Sequence, residues 1–405
     1  MNASFPHSSM TANDEVMMCP SCYGHTLAPL YEVKNVPAQS CVVLDTYEEA
    51  INYPRRDLKL SFCEGCGFIF NRVFDKQIVD YFLKTEESQH FSGTFNRFAK
   101  ELAAEIAEKC DISGKTIVEI GCGKGDFLAE LCVHADCQGI GIDPGFYKER
   151  LTFTNEDHKL RFITEYFDAQ RHNFEPDIIM CRHTLEHIPD VAPFMEQIRA
   201  SIKDREKVTI FFETPDVKRV LAEGAFWDIY YEHCSYFTES THARLFRQEG
   251  FEVTASALGY DNQYILQYAK PVVKPERASL SDRDHEELIG LAASFPDKVR
   301  SVQDQWRDLV LYHHNAGRRV VLWGGGSKCV SFITTLGLND EIDFVVDINP
   351  YKQSKYLVGT GHIVTEPDAL KEKPADLIVV MNPIYVDEIK KSLADLGLSP
   401  EVVAL

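Results

Sequence analysis

No run of apolar residues in this 405-residue chain is long enough to cross a bilayer, so no membrane span is expected. Basic residues are scarce beside acidic ones: 42 Lys and Arg stand against 62 Asp and Glu, for a formal charge of -20. The resulting field repels phosphate, which argues against nucleic-acid and anionic-membrane partners, although a local basic pocket can still hold a small phosphorylated ligand. The opening stretch M-N-A-S-F-P-H-S-S-M lacks the basic flank and apolar core of a secretory signal, so residues 1–15 read as a disordered tail and the location as cytoplasmic. Twelve cysteines in a chain of this size do not make a disulfide scaffold. No internal repeat or low-complexity tract stands out.

What is present divides into parts. At roughly 150 residues per domain the length predicts two or three folding units. Residues 16–80 carry the pairs C-P-S-C and C-E-G-C among short strand-like runs, and read as a small β-rich, metal-held module. Over 81–270, apolar strands such as T-I-V-E-I, G-I-G-I-D, D-I-I-M-C-R and V-T-I-F-F-E alternate with helical patterns, which predicts a parallel sheet covered on both faces. Residues 271–316 read as a proline-bearing linker followed by polar helices. From 317 to 405 strand and helix alternate again, giving a second, smaller α/β unit.

The pairs Cys19/Cys22 and Cys63/Cys66 can supply four thiolates to a closed tetrahedral zinc site. Their separation exceeds that of an ordinary zinc ribbon, so the segment between them must be an excursion whose ends return together. In Glu119-Ile-Gly121-Cys-Gly123-Lys-Gly125, a strand runs into a glycine loop and then into a helix starting near Asp126. Glycines allow a sharp turn and close approach to a ligand, and the helix start presents free N–H groups. The next strand ends at Asp143, where a carboxylate can accept from both hydroxyls of a ribose. The spacing G-x-G-x-x-G of a dinucleotide oxidoreductase is absent at this loop.

Further along, D-I-I-M-C-R-H-T-L-E-H-I-P-D brings Arg182, His183, Glu186 and His187 to the carboxyl end of the sheet, where open α/β folds bind ligands. The segment W-D-I-Y-Y-E-H-C-S-Y-F-T then holds Tyr230, Tyr231, Glu232, His233 and Tyr236. A histidine that removes a proton, a carboxylate that orients it and a tyrosine that steadies an oxyanion make a workable acid/base set. Adjacent residues need not point the same way, and an aromatic-rich stretch of this kind is often core.

The E-x-G-x-G-x-G element resembles the first motif of class I methyltransferases. That resemblance implies S-adenosylmethionine held by Glu119, Gly121, Gly123, Gly125 and Asp143, with His183 close by. The whole order of modules resembles the three-domain, zinc-containing sugar C-methyltransferases that act on nucleotide-linked deoxysugars. It implies that His233 abstracts the proton beside a 4-keto group, with Tyr230 assisting, Glu232 supporting and His187 near the sugar. This sequence departs from the antibiotic-sugar members at Tyr231 and His183, positions expected to touch the substrate. The C-terminal run Gly324-Gly325-Gly326-Ser327-Lys328, followed by Asp347, resembles a nucleotide-binding half-fold. Gly325, Ser327 and Lys328, with Tyr231 and Tyr236, are the expected substrate contacts, Lys328 as a phosphate partner. Three alternatives remain open at this level: methylation of oxygen or nitrogen on another small acceptor, a zinc-containing scaffold without turnover, and an oxidoreductase using the C-terminal glycine loop.

Overall fold

The computed structural model describes residues 17–81, 85–151, 159–172, 174–203, 207–273 and 278–405; the expected N-terminal tail at 1–15 lies outside the described residues. Three sheets carry the architecture. In the first, Leu27–Pro37, Arg55–Cys63, Ile69–Asn71 and Ser235–Tyr236 lie side by side, all antiparallel. Leu27 pairs with Cys63, so the segment between the two cysteine pairs runs out along one strand and back along the next. The last strand comes from far along the chain: Ser235 pairs with Phe70 and Tyr236 with Ile69.

The central sheet has seven strands in the order Phe251–Gly259, Tyr264–Pro271, Thr209–Pro215, Ile178–Arg182, Thr116–Ile120, Gln138–Ile142, Lys159–Ile163. Numbered along the chain, this is 3-2-1-4-5-7-6 read from the far edge, with the seventh strand antiparallel to both neighbours. Every residue of Ile178–Arg182 is buried, as a central parallel strand covered on both faces requires. The antiparallel hairpin at the other edge carries no comparable sequence signal. Phe251–Gly259 has one wet face and no continuous apolar run, and its turn places Tyr260, Asp261 and Asn262 all at positive φ.

The third sheet is all parallel, in the order Val364–Thr365, Phe344–Val346, Val320–Trp323, Leu377–Val380, Glu401–Ala404. A two-stranded ribbon pairs Tyr356–Leu357 with Val43–Leu44 and ties this unit to the N-terminal one.

Where separate polar helices were expected, one helix spans Asp282–Asn315. Ser281 caps it by accepting from the Asp284 N–H at 3.1 Å, and acids in the first turn with histidines in the last suit the helix dipole. Pro296 removes one interior hydrogen bond, yet the helix continues because Leu288, Ala292, Phe295 and Val299 form a buried stripe. That stripe belongs to an apolar cluster shared with Leu58 and Phe62 of the first sheet, Phe226 and Trp227 of the middle unit, and Val320 and Phe332 of the last. Phe295, fully buried and 5.7 Å edge-on from Tyr31, sits within it. Phe295→Ala is expected to cost about 3–5 kcal/mol, read as a lowered midpoint in thermal unfolding; an unchanged midpoint would mean that the helix does not knit the units together.

Candidate active site

A cavity of 1190 Å³ opens at the carboxyl ends of the central strands and extends to the C-terminal unit. Its floor is the glycine loop. Gly121, Gly123 and Gly125 have φ of 72°, 54° and 81°, in the region that favours glycine. Their environments differ. A Cβ on Gly121 would fall 1.9 Å from Thr184 Oγ1, whereas one on Gly123 would meet only Glu87 Oε1 at 3.5 Å. Gly123 thus leaves room for a ligand. Gly125 does not face the cavity: its missing Cβ admits Phe162, whose Cε1 would lie 2.6 Å away. At Gly125 the missing side chain is thus explained by packing against Phe162.

Asp143 ends the second strand, with Oδ2 accepting from Gly123 N at 2.9 Å and Oδ1 from Gly145 N at 2.7 Å. Burial raises its pKa against the pull of those two N–H groups. Each oxygen keeps accepting capacity toward the cavity.

Beside the loop lies a chain of buried charges. Glu213 accepts from Arg182 Nε at 2.6 Å and lies 3.2 Å from His183 Nε2, and Arg182 also stacks on Phe127 at 3.5 Å. Burial works against the charge on Glu213, but Arg182 and His183 outweigh it and hold its pKa at about 2. Burial likewise opposes a charged His183, yet Glu213 and Glu186 flank the ring and hold its pKa up at about 9. His183 sits at φ 48°, edge-on to Tyr264 at 4.5 Å. Burial raises Glu119 to about 7, with Arg182 pulling the other way, and among the described residues its Oε2 has no hydrogen-bond partner.

The segment Tyr230–Tyr236 divides between cavity and core. His233 lies between two rings, its centroid 4.7 Å from His187 at 90° and 4.7 Å from Tyr230 at 76°. No hydrogen bond from a described residue engages its nitrogens, and burial with the neighbouring His187 and His183 pushes its pKa well below 6.5. His187 Nδ1 is 3.1 Å from the Glu232 carbonyl and 3.1 Å from the Tyr81 hydroxyl. A carbonyl only accepts, so in the neutral ring Nδ1 carries the proton and Nε2 the lone pair. Tyr230 donates its hydroxyl to Asp228 Oδ1 at 3.1 Å, and burial together with that carboxylate drives its pKa well above 10, so it serves as a donor rather than a base.

Other expected contacts are placed differently. Tyr231 is buried, accepts from Asp75 N at 2.9 Å and donates to Val73 O at 3.2 Å, away from the cavity wall. It is a core residue of the N-terminal module, so the departure seen there in sequence is not a substrate contact. Tyr236 does reach the wall, but its hydroxyl is taken up by the Tyr230 backbone, accepting from N at 3.2 Å and donating to O at 3.1 Å. The Glu232 carboxylate turns from His233 to Ser40, accepting from its N at 2.7 Å and from its hydroxyl. Glu232 instead supports the site through its carbonyl on His187.

On the C-terminal wall, Gly324, Gly326, Ser327 and Lys328 line the cavity while Gly325 lies behind it, donating N–H to Asp347 Oδ2 at 2.7 Å. Ser327 Oγ is 2.9 Å from Cys41 Sγ. Lys328 Nζ already meets Asp228 Oδ1 at 3.0 Å, Oδ2 at 3.1 Å and Gln263 Oε1 at 3.2 Å. The ammonium expected to meet a phosphate is thus already engaged by one carboxylate and one amide oxygen. Sequence reasoning missed Asp228, Gln263 and Tyr81. Only the acidity of Asp228, two residues before Tyr230, could have drawn notice.

Cys19, Cys22, Cys63 and Cys66 converge with all four sulfurs within 4.8 Å of one another; Cys19 to Cys66 is 3.7 Å and Cys22 to Cys63 is 3.6 Å. Thiolates about 2.3 Å from one tetrahedral centre stand roughly 3.8 Å apart, so the set is dimensioned for a metal ion.

Two family models match in succession: a methyltransferase domain over residues 91–256 and a C-methyltransferase C-terminal domain over 274–398. The C-methyltransferase NovU of Streptomyces niveus is 25% identical over 319 residues, covering 74% of each chain. A ubiquinone biosynthesis O-methyltransferase of Yersinia pestis is 31% identical over 105 residues, 25% of this chain and 42% of that protein. Among solved structures, the magnesium protoporphyrin IX methyltransferase of Synechocystis with bound SAH aligns at a TM-score of 0.36 and 12% identity, over 44% of this chain and 84% of that one. The strand order, the two family models and the likeness to NovU define an S-adenosylmethionine-dependent methyltransferase with the class I fold. Carrying both domains in series, the chain belongs to the C-methyltransferase family that pairs them. Its residues fit the methyl donor: the glycine turn is open at Gly123, Asp143 retains acceptor capacity, and buried Glu119 Oε2 lacks a partner among the described residues.

Two outcomes are expected. Tyr231→Phe leaves the Asp75 N–H without its acceptor and the Val73 carbonyl without its donor, and should cost about 1–3 kcal/mol in thermal unfolding while the donor affinity stays unchanged. A specific loss of donor affinity would return Tyr231 to the site. The second concerns pH. The His183 pKa is raised from 6.5 to about 9, so its contribution to stability is full below pH 6.5 and is lost as pH climbs through 9. Glu213 runs the other way, its contribution present above pH 4.5 and lost as pH falls through 2. His183→Asn should flatten the decline of the unfolding midpoint between pH 6.5 and 9; an equally steep decline in the variant would assign it to another group.

Proposed function

We propose that the enzyme transfers methyl to a ring carbon beside the ketone of a nucleotide-linked 4-ketodeoxysugar, with His233 as the base. The observation that carries this reading is the unpartnered His233 ring, standing between Tyr230 and His187 at the cavity wall. Bound S-adenosylmethionine supplies an electrophilic sulfonium methyl, which an enolate carbon can capture.

The chain's own residues do the rest. His233, kept neutral by its surroundings, accepts the proton from the carbon next to the carbonyl. Tyr230, kept protonated, stands beside the base with its hydroxyl proton on Asp228 and meets the oxygen on which charge develops only by turning from that carboxylate, while His187 fixes the far side of the His233 ring. Glu119, the backbone of Gly121 to Gly123, and Asp143 are the groups that would hold the donor. The size of the cavity and its extension to Trp323, Asn382 and Tyr385 support an acceptor as long as a nucleotide-linked sugar. His183, flanked by two carboxylates, remains the position that tunes which sugar is accepted. A structural zinc in the four-cysteine set, a cytoplasmic setting for its free thiols, and unit boundaries near residues 80, 270 and 316 complete the proposal.

Incubation with donor carrying a deuterated methyl and a panel of nucleotide-linked 4-ketosugars, followed by mass spectrometry and NMR, tests it directly. Label on a ring carbon is expected, and label on oxygen or nitrogen of an acceptor would replace the proposal. His233→Ala should abolish transfer with donor binding intact, while Asp143→Ala should weaken donor binding. Because the His233 pKa lies below 6.5, the base is ready throughout the neutral range, and the acid limb of kcat should fall below pH 6.5.

A further inference from the structure

Both cysteine turns rest on one face of the helix Glu239–Gln248, which belongs to the central unit. Gly67, next to Cys66, has φ 73°, and a Cβ there would lie 3.2 Å from Thr241 Cγ2, so the C-E-G-C turn closes down onto the helix. Three positions past Thr241, and so on the same face, Arg244 reaches the C-P-S-C turn. Arg244 is 3% exposed; its Nη2 donates to Ser21 Oγ at 2.5 Å and to the Ser21 carbonyl at 3.2 Å, and its Nη1 donates to Gln248 Oε1 at 2.7 Å. Gln248 Nε2 gives the Ser21 carbonyl a second donor at 3.0 Å. Ser21 is itself buried and stands between Cys19 and Cys22, so a side chain of the central unit sets the backbone from which two of the four thiols project. Charge gives a reason for arginine at this place. Four thiolates around a divalent cation carry a net double negative charge, and Cys19, Cys63 and Cys66 are buried. A buried anion is costly unless donors or a cation face it. Gly24 N donates to Cys22 Sγ at 3.4 Å, and the Arg244 guanidinium is close enough to favour the thiolate at Cys66.

We propose that Arg244 is a positioning residue for the metal: through Ser21 it fixes the Cys19–Cys22 turn, and it sets a positive charge against the tetrathiolate, so that metal affinity is built in part by the methyltransferase unit. On the reading of the four cysteines as a zinc site, on which this rests, the N-terminal module binds metal not as a free-standing finger but docked on the helix that follows Tyr236. Outer partners of this kind orient the ligands and tune the metal without touching it. Loss of Arg244 leaves the four thiols in the chain but removes the donors that hold the Ser21 hydroxyl and brace its carbonyl, and leaves the buried anion facing Gly24 N–H with no guanidinium beside it.

Full-length wild type, Arg244→Met, Arg244→Lys and Ser21→Ala are compared under reducing conditions, each loaded with zinc and each stripped of it. Zinc affinity is read by competition with EDTA, with bound metal counted by atomic emission. Arg244→Met is expected to weaken zinc binding about ten- to a hundredfold, the scale of losing an outer partner. Ser21→Ala, which keeps the charge and loses one hydrogen bond, should weaken it less, and Arg244→Lys, which keeps the charge without the fork, should recover part of the loss. Cobalt(II) in the same proteins should still give a sulfur-to-metal charge-transfer band, because all four ligands are untouched. The rise in unfolding midpoint on adding zinc should be smaller in Arg244→Met than in wild type. An arginine that only packs would lower the loaded and stripped midpoints equally and leave zinc affinity at the wild-type value, and that result overturns the proposal. If Arg244→Met does not fold, the other two variants are read in the same competition, and wild-type affinity in both overturns it. Wild-type protein that takes up neither zinc nor cobalt on its cysteines would remove the zinc reading itself and this proposal with it, an outcome distinct from normal uptake that Arg244 does not influence.

Discussion

The pairing of Ser235 and Tyr236 with Phe70 and Ile69 inserts the chain just after His233 into the sheet of the N-terminal module. The chain just before it, from Phe226 to Ile229, is clamped by Ser331 of the C-terminal unit. Between these anchors run only a few residues, and they include the candidate base and its tyrosine partner. A segment fixed at both ends by different units has little freedom to relax, so the geometry around His233 depends on how all three units are seated. This gives the four-cysteine cluster a functional consequence without any contact with substrate. A metal there would hold the loops that begin and end the first two strands, and with them the sheet on which the His233 segment is hung.

Electrostatics makes a second constraint. Glu119, Arg182, Glu213, His183 and Glu186 form a largely buried series of alternating sign, and the half-buried Arg219, Asp228 and Lys328 form another. Burying such pairs brings little net stability, because desolvation offsets most of the attraction, but removing one member strands its partner. Their value lies in fixing protonation states. Glu213 stays ionised, His183 stays charged and Tyr230 keeps its proton, while burial and the neighbouring His187 and His183 keep His233 neutral.

How much of this could be read from the sequence varies with the range of the contacts involved. The strand, glycine turn and Asp143 were legible because one short segment sets their geometry, and the cysteine pairs because their spacing is itself the signal. The order of residues in Tyr230–Tyr236 said less, since neighbouring side chains on an irregular stretch diverge: Tyr231 turns into the N-terminal core and Tyr236 back onto the Tyr230 backbone, while His233 faces the cavity. Gly125 and Lys328 were drawn toward ligands by motif, yet their neighbours are Phe162 and Asp228. Those partners lie far away in sequence, so local pattern could not supply them. The long helix at Asp282 was masked by Pro296, whose local cost the buried stripe on either side overrides.

The division of labour within the segment also bears on why the Glu232 and His187 pair is arranged as it is. A carboxylate hydrogen-bonded to His233 would raise that ring's pKa and, at neutral pH, leave it protonated and unable to accept. Here the Glu232 carboxylate accepts from Ser40 rather than from His233, and its carbonyl orients His187. His187 then meets His233 edge to face, and burial together with this second imidazole disfavours protonation of His233. On the proposed reading the arrangement leaves His233 a weak base whose nitrogens no described residue occupies, which is adequate for a proton made acidic by an adjacent carbonyl.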